Sequence, residues 1–279
     1  MQGKLYLCAT PIGNLQDMTL RAIDTLRQVD LIAAEDTRNS IKILNHFEIK
    51  TPMTSYHEYN KIDKAYFLVK EMKEGKNIAL ITDAGMPAIS DPGEDLVRIC
   101  HEEGVEVTVV PGASAVVSAL ALSGLPSRRF CFEGFLPHDK KEREAILKEL
   151  ENESRSIILY EAPHHLIDTL KLLKNTLGEG REMAVCREIT KKYETVLRGS
   201  ISNIEEHFKI NPPKGEFVLI IQGKSRKELA KESQEQWQQL SLKEHMQIYL
   251  NKNLSKKEAM KMVAKDRGIS KRDVYQALL

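Results

Sequence analysis

Four short segments of the chain place acids, a histidine or small residues directly after apolar runs, and chemistry is expected at such strand-to-loop junctions. Glu35, Asp36, Thr37 and Arg38 follow residues 31–34. His57 and Glu58 follow residues 51–56. Thr82, Asp83, Ala84, Gly85, Met86 and Pro87 follow residues 78–81, and PGASA at 111–115 follows residues 105–110. A carboxylate or imidazole at such a position could take a proton from a substrate held beside it. For Asp36 and Arg38 the simpler reading, a pair that stiffens its own loop, stays open. The small residues of PGASA allow the N-terminus of the following helix to approach a ligand closely.

These segments can meet only if the runs before them are neighbouring strands. Ile78, Ala79, Leu80 and Ile81 form a near-continuous apolar run, the pattern of a strand covered on both faces and therefore central in a parallel sheet. Its carboxyl end breaks at Asp83, Gly85 and Pro87, where open α/β sheets keep their ligand crevices. Pro92 is expected in the first turn of a helix capped by Ser90 or Asp91. Residues 5–9 give a first strand, and Thr10, Pro11, Gly13 and Asn14 give its turn. Asp17 or Thr19 then caps a helix whose apolar residues Leu20, Ile23, Leu26 and Val29 recur at helical spacing. With the strand at 31–34 this is a βαβ unit.

Gly124, Pro126 and Ser127 interrupt the pattern. Beyond them, strand-like runs at 130–133, 157–160, 183–186, 195–197 and 217–221 alternate with helical stretches at 140–150, 164–177 and 201–209, which reads as a mixed sheet. The expected organisation is an N-terminal α/β domain at 1–125 and a second α/β domain at 126–223. A linker or exposed helix at 224–240 leads to a small basic helical domain at 241–279. Three short helices are predicted there, with Ser241, Ser255 and Ser270 as caps and Glu258 and Asp273 three residues after the last two.

Composition sets the outer limits. At 279 residues, 42% hydrophobic and 29% charged, the chain fits a soluble globular protein with room for two domains. It contains no apolar run near the ~20 residues of a membrane span and no signal-type start, so a cytoplasmic location is expected and no membrane. Cys8, Cys100, Cys131 and Cys186 are widely spaced, which favours buried thiols over disulfides or zinc. His164 and His165 have no acidic partner at ligand spacing, and no metal is expected. Neither a GxxxxGK[ST] nor a GxGxxG segment is present, so the usual phosphate cradles are missing. The net charge of +1 hides a segregation: residues 223–279 hold 13 Lys and Arg against 7 Asp and Glu. Such a basic tail fits contact with nucleic acid.

Taken together, ATPIGNL at 9–15, DAGMPAISDPG at 83–93 and PGASA at 111–115 resemble the tetrapyrrole-methylase superfamily of S-adenosylmethionine (SAM) enzymes. AEDTR at 34–38, SYHEYN at 55–60, RFCFEGFLP at 129–137 and YEAPHH at 160–165 narrow the likeness to the bacterial 16S ribosomal RNA cytidine 2′-O-methyltransferases. The similarity runs from about Lys4 to Gln222. It implies a two-domain α/β fold with SAM as cofactor, a cytidine ribose of 16S ribosomal RNA or the small subunit as substrate, and a homodimer. By the same resemblance, Pro11, Asp83, Met86, Ser114, Ala115 and Tyr160 lie where superfamily members contact the cofactor, with Ala84, Gly85 and Ser90 in the same loop. Glu35, Asp36 and Arg38, and after them His57 and Glu58, are the candidates for the proton acceptor or for groups that position RNA, because they end strands on the cofactor edge. Methylation of a tetrapyrrole carbon is the alternative within the same superfamily. A non-catalytic ribosome-binding protein with a degenerate pocket is the alternative outside enzymes.

Overall fold

A computed structural model describes residues 2–278. The first half alternates strands β1 (Lys4–Cys8), β2 (Leu31–Ala34), β3 (Met53–Ser55), β4 (Ile78–Ile81) and β5 (Glu106–Val110) with helices α1 (Leu20–Gln28), α2 (Thr37–His46), α3 (Lys61–Lys73) and α4 (Glu94–Glu102). The sheet runs β3-β2-β4-β1-β5, parallel throughout, with β4 at its centre. Every residue of β4 is buried, and the strand's two-residue period divides them. Ile78 and Leu80 pack with Leu68, Met72 and Leu96 under α3 and α4. Ala79 and Ile81 pack with Leu26 and Leu44 under α1 and α2. A strand clad on both sides must be apolar at every position, which is why its sequence shows no alternation. Because the strands are parallel, their carboxyl ends share one edge, where Thr10, Glu35, His57, Asp83 and Pro111 all leave the sheet.

The start of α4 departs from expectation. Neither Ser90 nor Asp91 caps it; the N-cap is Gly93, at φ +151° and with no side-chain cap bond. Ala88 and Ser90 both sit at φ +66°, and these left-handed turns carry the chain past the predicted start before it can coil.

Helix α5 (Ala115–Ser123) joins the halves. Its Val116, Ala119 and Leu120 pack against Ile158, Ala184, Cys186, Val218 and Ile220 of the second sheet, although the sequence division at 125 groups this helix with the first. That second sheet contains β6 (Phe130–Phe135), β7 (Ser156–Glu161), β8 (Glu182–Arg187), β9 (Thr195–Ser200) and β10 (Phe217–Ile221), in the order β6-β7-β10-β8-β9. It is mixed: β6 and β7 are parallel, and β10 and β9 run antiparallel to their neighbours. Helices α6 (Lys140–Leu150), α7 (Leu166–Leu177) and α8 (Ile201–Ile210) cover its other face, through Leu147, Leu170, Leu173 and Ile204.

Of the two readings of 224–240, a linker or an exposed helix, the structure has the helix, α9 (Arg226–Gln238). Helices α10 (Leu242–Leu250), α11 (Lys256–Arg267) and α12 (Lys271–Ala277) follow, around a small core of Met246, Tyr249, Ala259, Val263 and Val274. All three carry reciprocal capping boxes, including a Ser241–Glu244 pair that the sequence reading passed over. Trp237, at the end of α9, stacks on the His245 ring at 4.0 Å with 4° between planes, which docks α9 on the bundle. All four cysteines are buried and free. Among the described residues no helix is long and apolar enough to cross a membrane, and no cluster of His, Cys, Asp and Glu could hold a metal ion.

Candidate active site

Where the carboxyl edge of the first sheet faces the second sheet, a cleft of about 450 Å³ opens. One wall is Ile12, Ala84, Gly85, Met86, Ile89, Asp91, Ser114 and Ala115; the other is Phe135, Tyr160 to Pro163, Glu188 to Lys191 and Glu216 to Val218, with Thr190 absent from the lining. The first wall is held in shape by the backbone. Thr10 and Gly85 exchange two main-chain hydrogen bonds, 2.9 and 3.1 Å, and Thr10 Oγ1 donates to the Thr82 carbonyl at 3.1 Å. Gly85 is at φ +87°, and a Cβ there would come within 3.3 Å of Ile12 Cγ2 and 3.8 Å of the Ala113 carbonyl. Three loops therefore converge on one small residue, whose left-handed φ and tight approach to the Ile12 side chain disfavour anything larger. Ser114 is the N-cap of α5 and makes no side-chain cap bond, while the Val116 amide in the first turn donates to the Tyr160 hydroxyl.

Six of the nine residues expected at the cofactor, Ala84, Gly85, Met86, Ser114 and Ala115 from the first wall and Tyr160 from the second, line this cleft. The other three stand outside its lining. Pro11 is buried beneath the turn, Asp83 is exposed and accepts a 2.8 Å hydrogen bond from Asn39 Nδ2, and Ser90 faces Gly134 of the second half. Asp83 and Ser90 share a loop with two left-handed residues, in which neighbouring side chains point in unrelated directions.

The cleft is acidic. Asp91, Glu161, Glu188 and Glu216 line it against one cation, Lys191, whose Nζ bridges Glu216 at 2.7 Å and Glu188 at 3.1 Å. Glu161 is tied down by the Ala162 amide at 2.7 Å and by the Thr169 hydroxyl at 2.5 Å. Asp91 makes no ion pair among the described residues, and burial, reinforced by the charges of Glu35 and Asp83, pushes its carboxyl up to about 7. Burial, then the charge of Asp91, pushes the Tyr160 phenol up to about 12. The sequence reading did not single out Glu188, Lys191 and Glu216. The signal was there, since Glu188 follows β8 as Glu35 follows β2, but antiparallel pairing in the second sheet hid which strand ends face the cleft.

The five candidates for proton transfer or RNA positioning lie farther along the same edge, outside the lining of the cleft. Asp36 caps α2 and takes a two-pronged bond from Arg38, at 3.0 Å from Nε and 2.7 Å from Nη2. Those bonds hold the Asp36 carboxyl down to about 2. Glu58 pairs with Lys61 at 2.7 Å. The His57 amide donates to Asn60 Oδ1, while its ring Nδ1 is buried without a partner. Glu35 comes nearest the cleft: burial raises its carboxyl despite a hydrogen bond from the Asp83 amide, and the Asp83 and Asp36 charges add to the effect.

Two packed α/β halves sharing an acidic, small-walled cleft define a class. The tetrapyrrole (corrin/porphyrin) methylases match residues 4–205, and the chain belongs to that family. Among its relatives, a Bacillus subtilis protein named Ribosomal RNA small subunit methyltransferase I is 47% identical over 99% of this chain and 94% of its own length. A Thermotoga maritima protein of the same name is 46% identical over 80% of this chain and 99% of its own length. Solved structures of diphthine synthase (TM-score 0.65, 14% identity, 80% of this chain and 91% of that one) and of Thermus thermophilus uroporphyrin-III-C-methyltransferase (TM-score 0.57, 19% identity, 79% and 94%) share the fold.

Proposed function

We propose that the chain transfers a methyl group from SAM to the 2′-hydroxyl of a cytidine ribose in 16S ribosomal RNA, either free or in the small subunit. The observation that carries this reading is the acidic, small-residue cleft in a chain whose near-full-length relatives are named as small-subunit ribosomal RNA methyltransferases. The cleft fits the donor on its own terms. SAM carries a sulfonium and an ammonium cation, and four carboxyls against one lysine favour cations there. Gly85 and Ala84 leave room for main-chain approach, Met86 and Tyr160 offer apolar surface, and the open α5 N-terminus at Ser114 and Ala115 suits a carboxylate. When bound, SAM supplies an electrophilic methyl group that leaves in one in-line displacement.

What the protein must add is alignment of the hydroxyl and removal of its proton, together worth several powers of ten in rate. Of the edge residues, Glu35 is the one whose carboxyl burial pushes up from its ordinary range, against a hydrogen bond from the Asp83 amide. Arg38, which is 88% exposed along its side chain and braced by Asp36, and His57 with its unpartnered Nδ1 are the groups for a ribose or phosphate beside the cleft, while Glu58 pairs with Lys61. The basic tail favours RNA over a porphyrinoid as the acceptor. A homodimer in the cytoplasm completes the proposal, and exposed Val117, Leu122 and Val196 on the adjoining α5 and β9 offer it apolar surface. Nucleoside mass spectrometry of ribosomal RNA from cells with and without the protein tests the reading. Loss of a 2′-O-methylcytidine on deletion is expected, and an unchanged level rejects it.

A further inference from the structure

Asp91 stands out once the helix cap is assigned elsewhere. In DAGMPAISDPG it has the sequence position of a cap, yet Gly93 caps α4, and the Asp91 carboxyl is neither in a cap bond nor, among the described residues, in an ion pair. It instead lies in the wall of the cleft beside Met86, Ser114 and Tyr160. Thr82, only 1% exposed, turns its hydroxyl toward the Asp91 carboxyl from the end of β4, close enough to favour the charged form. A carboxylate accepts several hydrogen bonds, so this one hydroxyl leaves most of the Asp91 acceptor capacity open to the cleft it lines.

We propose that Asp91 is the catalytic carboxylate that accepts the proton of the ribose 2′-hydroxyl. This deepens the methyltransferase reading and rests on it. As the ribose oxygen forms its bond to the methyl carbon, its O–H bond breaks and the proton passes to Asp91. The carbon–sulfur bond breaks with its electron pair going to sulfur, which becomes a neutral thioether. Asp91 then returns the proton to water. Glu161 and Glu188 line the same cleft, but the first is held by two hydrogen bonds and the second by Lys191. The groups facing Asp91 are Glu35 from the end of β2, Thr82 and Asp83 from β4 and the Tyr160 phenol from β7. Partial burial first, then the charges of Glu35 and Asp83, outweigh the Thr82 hydrogen bond and bring it to about 7, which suits a general base.

The test compares the full-length protein with Asp91→Asn and Asp91→Glu. In single-turnover assays on 16S ribosomal RNA, Asp91→Asn is expected to slow methyl transfer about 10²- to 10⁴-fold while its SAM affinity stays within tenfold. The acid limb near pH 7 in kcat/KM for SAM disappears with it, and Asp91→Glu recovers part of both rate and limb. Calorimetry of SAM binding in buffers of different ionisation enthalpy gives a readout apart from turnover: the parent releases a fraction of a proton near pH 7, and Asp91→Asn releases none. Near-UV circular dichroism checks that the variants fold, and should Asp91→Asn fail there, the shift of the acid limb in Asp91→Glu decides. A parent that makes no methylated ribose overturns the function reading. A parent that makes it, with Asp91→Asn transferring within threefold or losing only SAM affinity, overturns the role of Asp91 alone.

Discussion

Ser114 and Ala115 offer main-chain amides at the mouth of α5, and the half-buried Ser114 side chain borders open space. A ring there would fill the cleft without entering the packed core. Ser114→Trp is therefore expected to abolish measurable SAM binding by calorimetry while leaving the circular dichroism spectrum unchanged. At the outer edge the opposite split is expected: Arg38→Ala slows methyl transfer several-fold and leaves SAM affinity within twofold, because the Arg38 side chain is exposed and stands outside the lining of the cleft. Loss of SAM affinity in Arg38→Ala would move the AEDTR loop into the cofactor site. Residue types marked both regions in advance, since acids and small residues after apolar runs have few structural uses. Direction was not legible. Asp83 and Asp91 stand in one loop, and only the left-handed turns at Ala88 and Ser90 decide that Asp91 faces the cleft while Asp83 reaches Asn39.

Among the elements, the turn into α4 is the most constrained. A side chain at Gly93 would meet Leu80 Cδ2 and Ala88 Cβ at 2.9 Å while holding φ +151°. Gly93→Val is expected to cost at least about 2 kcal/mol in urea unfolding, from strain and overpacking together. In the tail, His245 is buried between Trp237 and Asp266, and Arg267 Nε donates to its Nδ1 at 3.1 Å, so the neutral ring is the one that fits. Burial lowers its affinity for a proton, with the Arg267 charge helping and Asp266 opposing. The unfolded ring takes up its proton first, near pH 6.5, so the bundle is fully stable above that value and loses stability as pH falls through it. Near-UV dichroism of Trp237 during thermal unfolding at pH 7.5 and 5.5 measures this. A midpoint unchanged by pH would show that His245 carries no such linkage. Apolar period located most strands and helices, because burial is what it records. It gave no sign of α9, whose sequence is almost wholly polar and whose docking depends on one tryptophan.

At the scale of the whole molecule, the bundle is joined to the sheets chiefly at its root, where the Lys224 amide donates to the Glu153 carbonyl and Lys224 Nζ reaches Glu232. A chain ending at Ser225 keeps the first of these bonds and the entire cleft. Its SAM affinity is expected to match the full-length protein. Its affinity for 16S ribosomal RNA should fall, with a shallower dependence on salt as fewer phosphates are neutralised. Equal RNA affinity and slope would make the tail a solvated appendage. One relative already lacks a counterpart for about a fifth of this chain, since the Thermotoga protein is spanned over 99% of its length by 80% of the present sequence. The charge segregation behind this expectation was plain from composition, whereas the joint at Lys224 depends on contacts that no local pattern encodes.

That joint also bears on speed. Helix α9 packs along α11 and, through Lys224 at its root, tethers the basic bundle to the sheets. An RNA caught by α10 to α12 would then meet the cleft as though dissolved at about millimolar strength, however dilute it is in the surrounding medium. Long transcripts that span both sites should be modified at concentrations where a short oligonucleotide carrying the same cytidine is ignored.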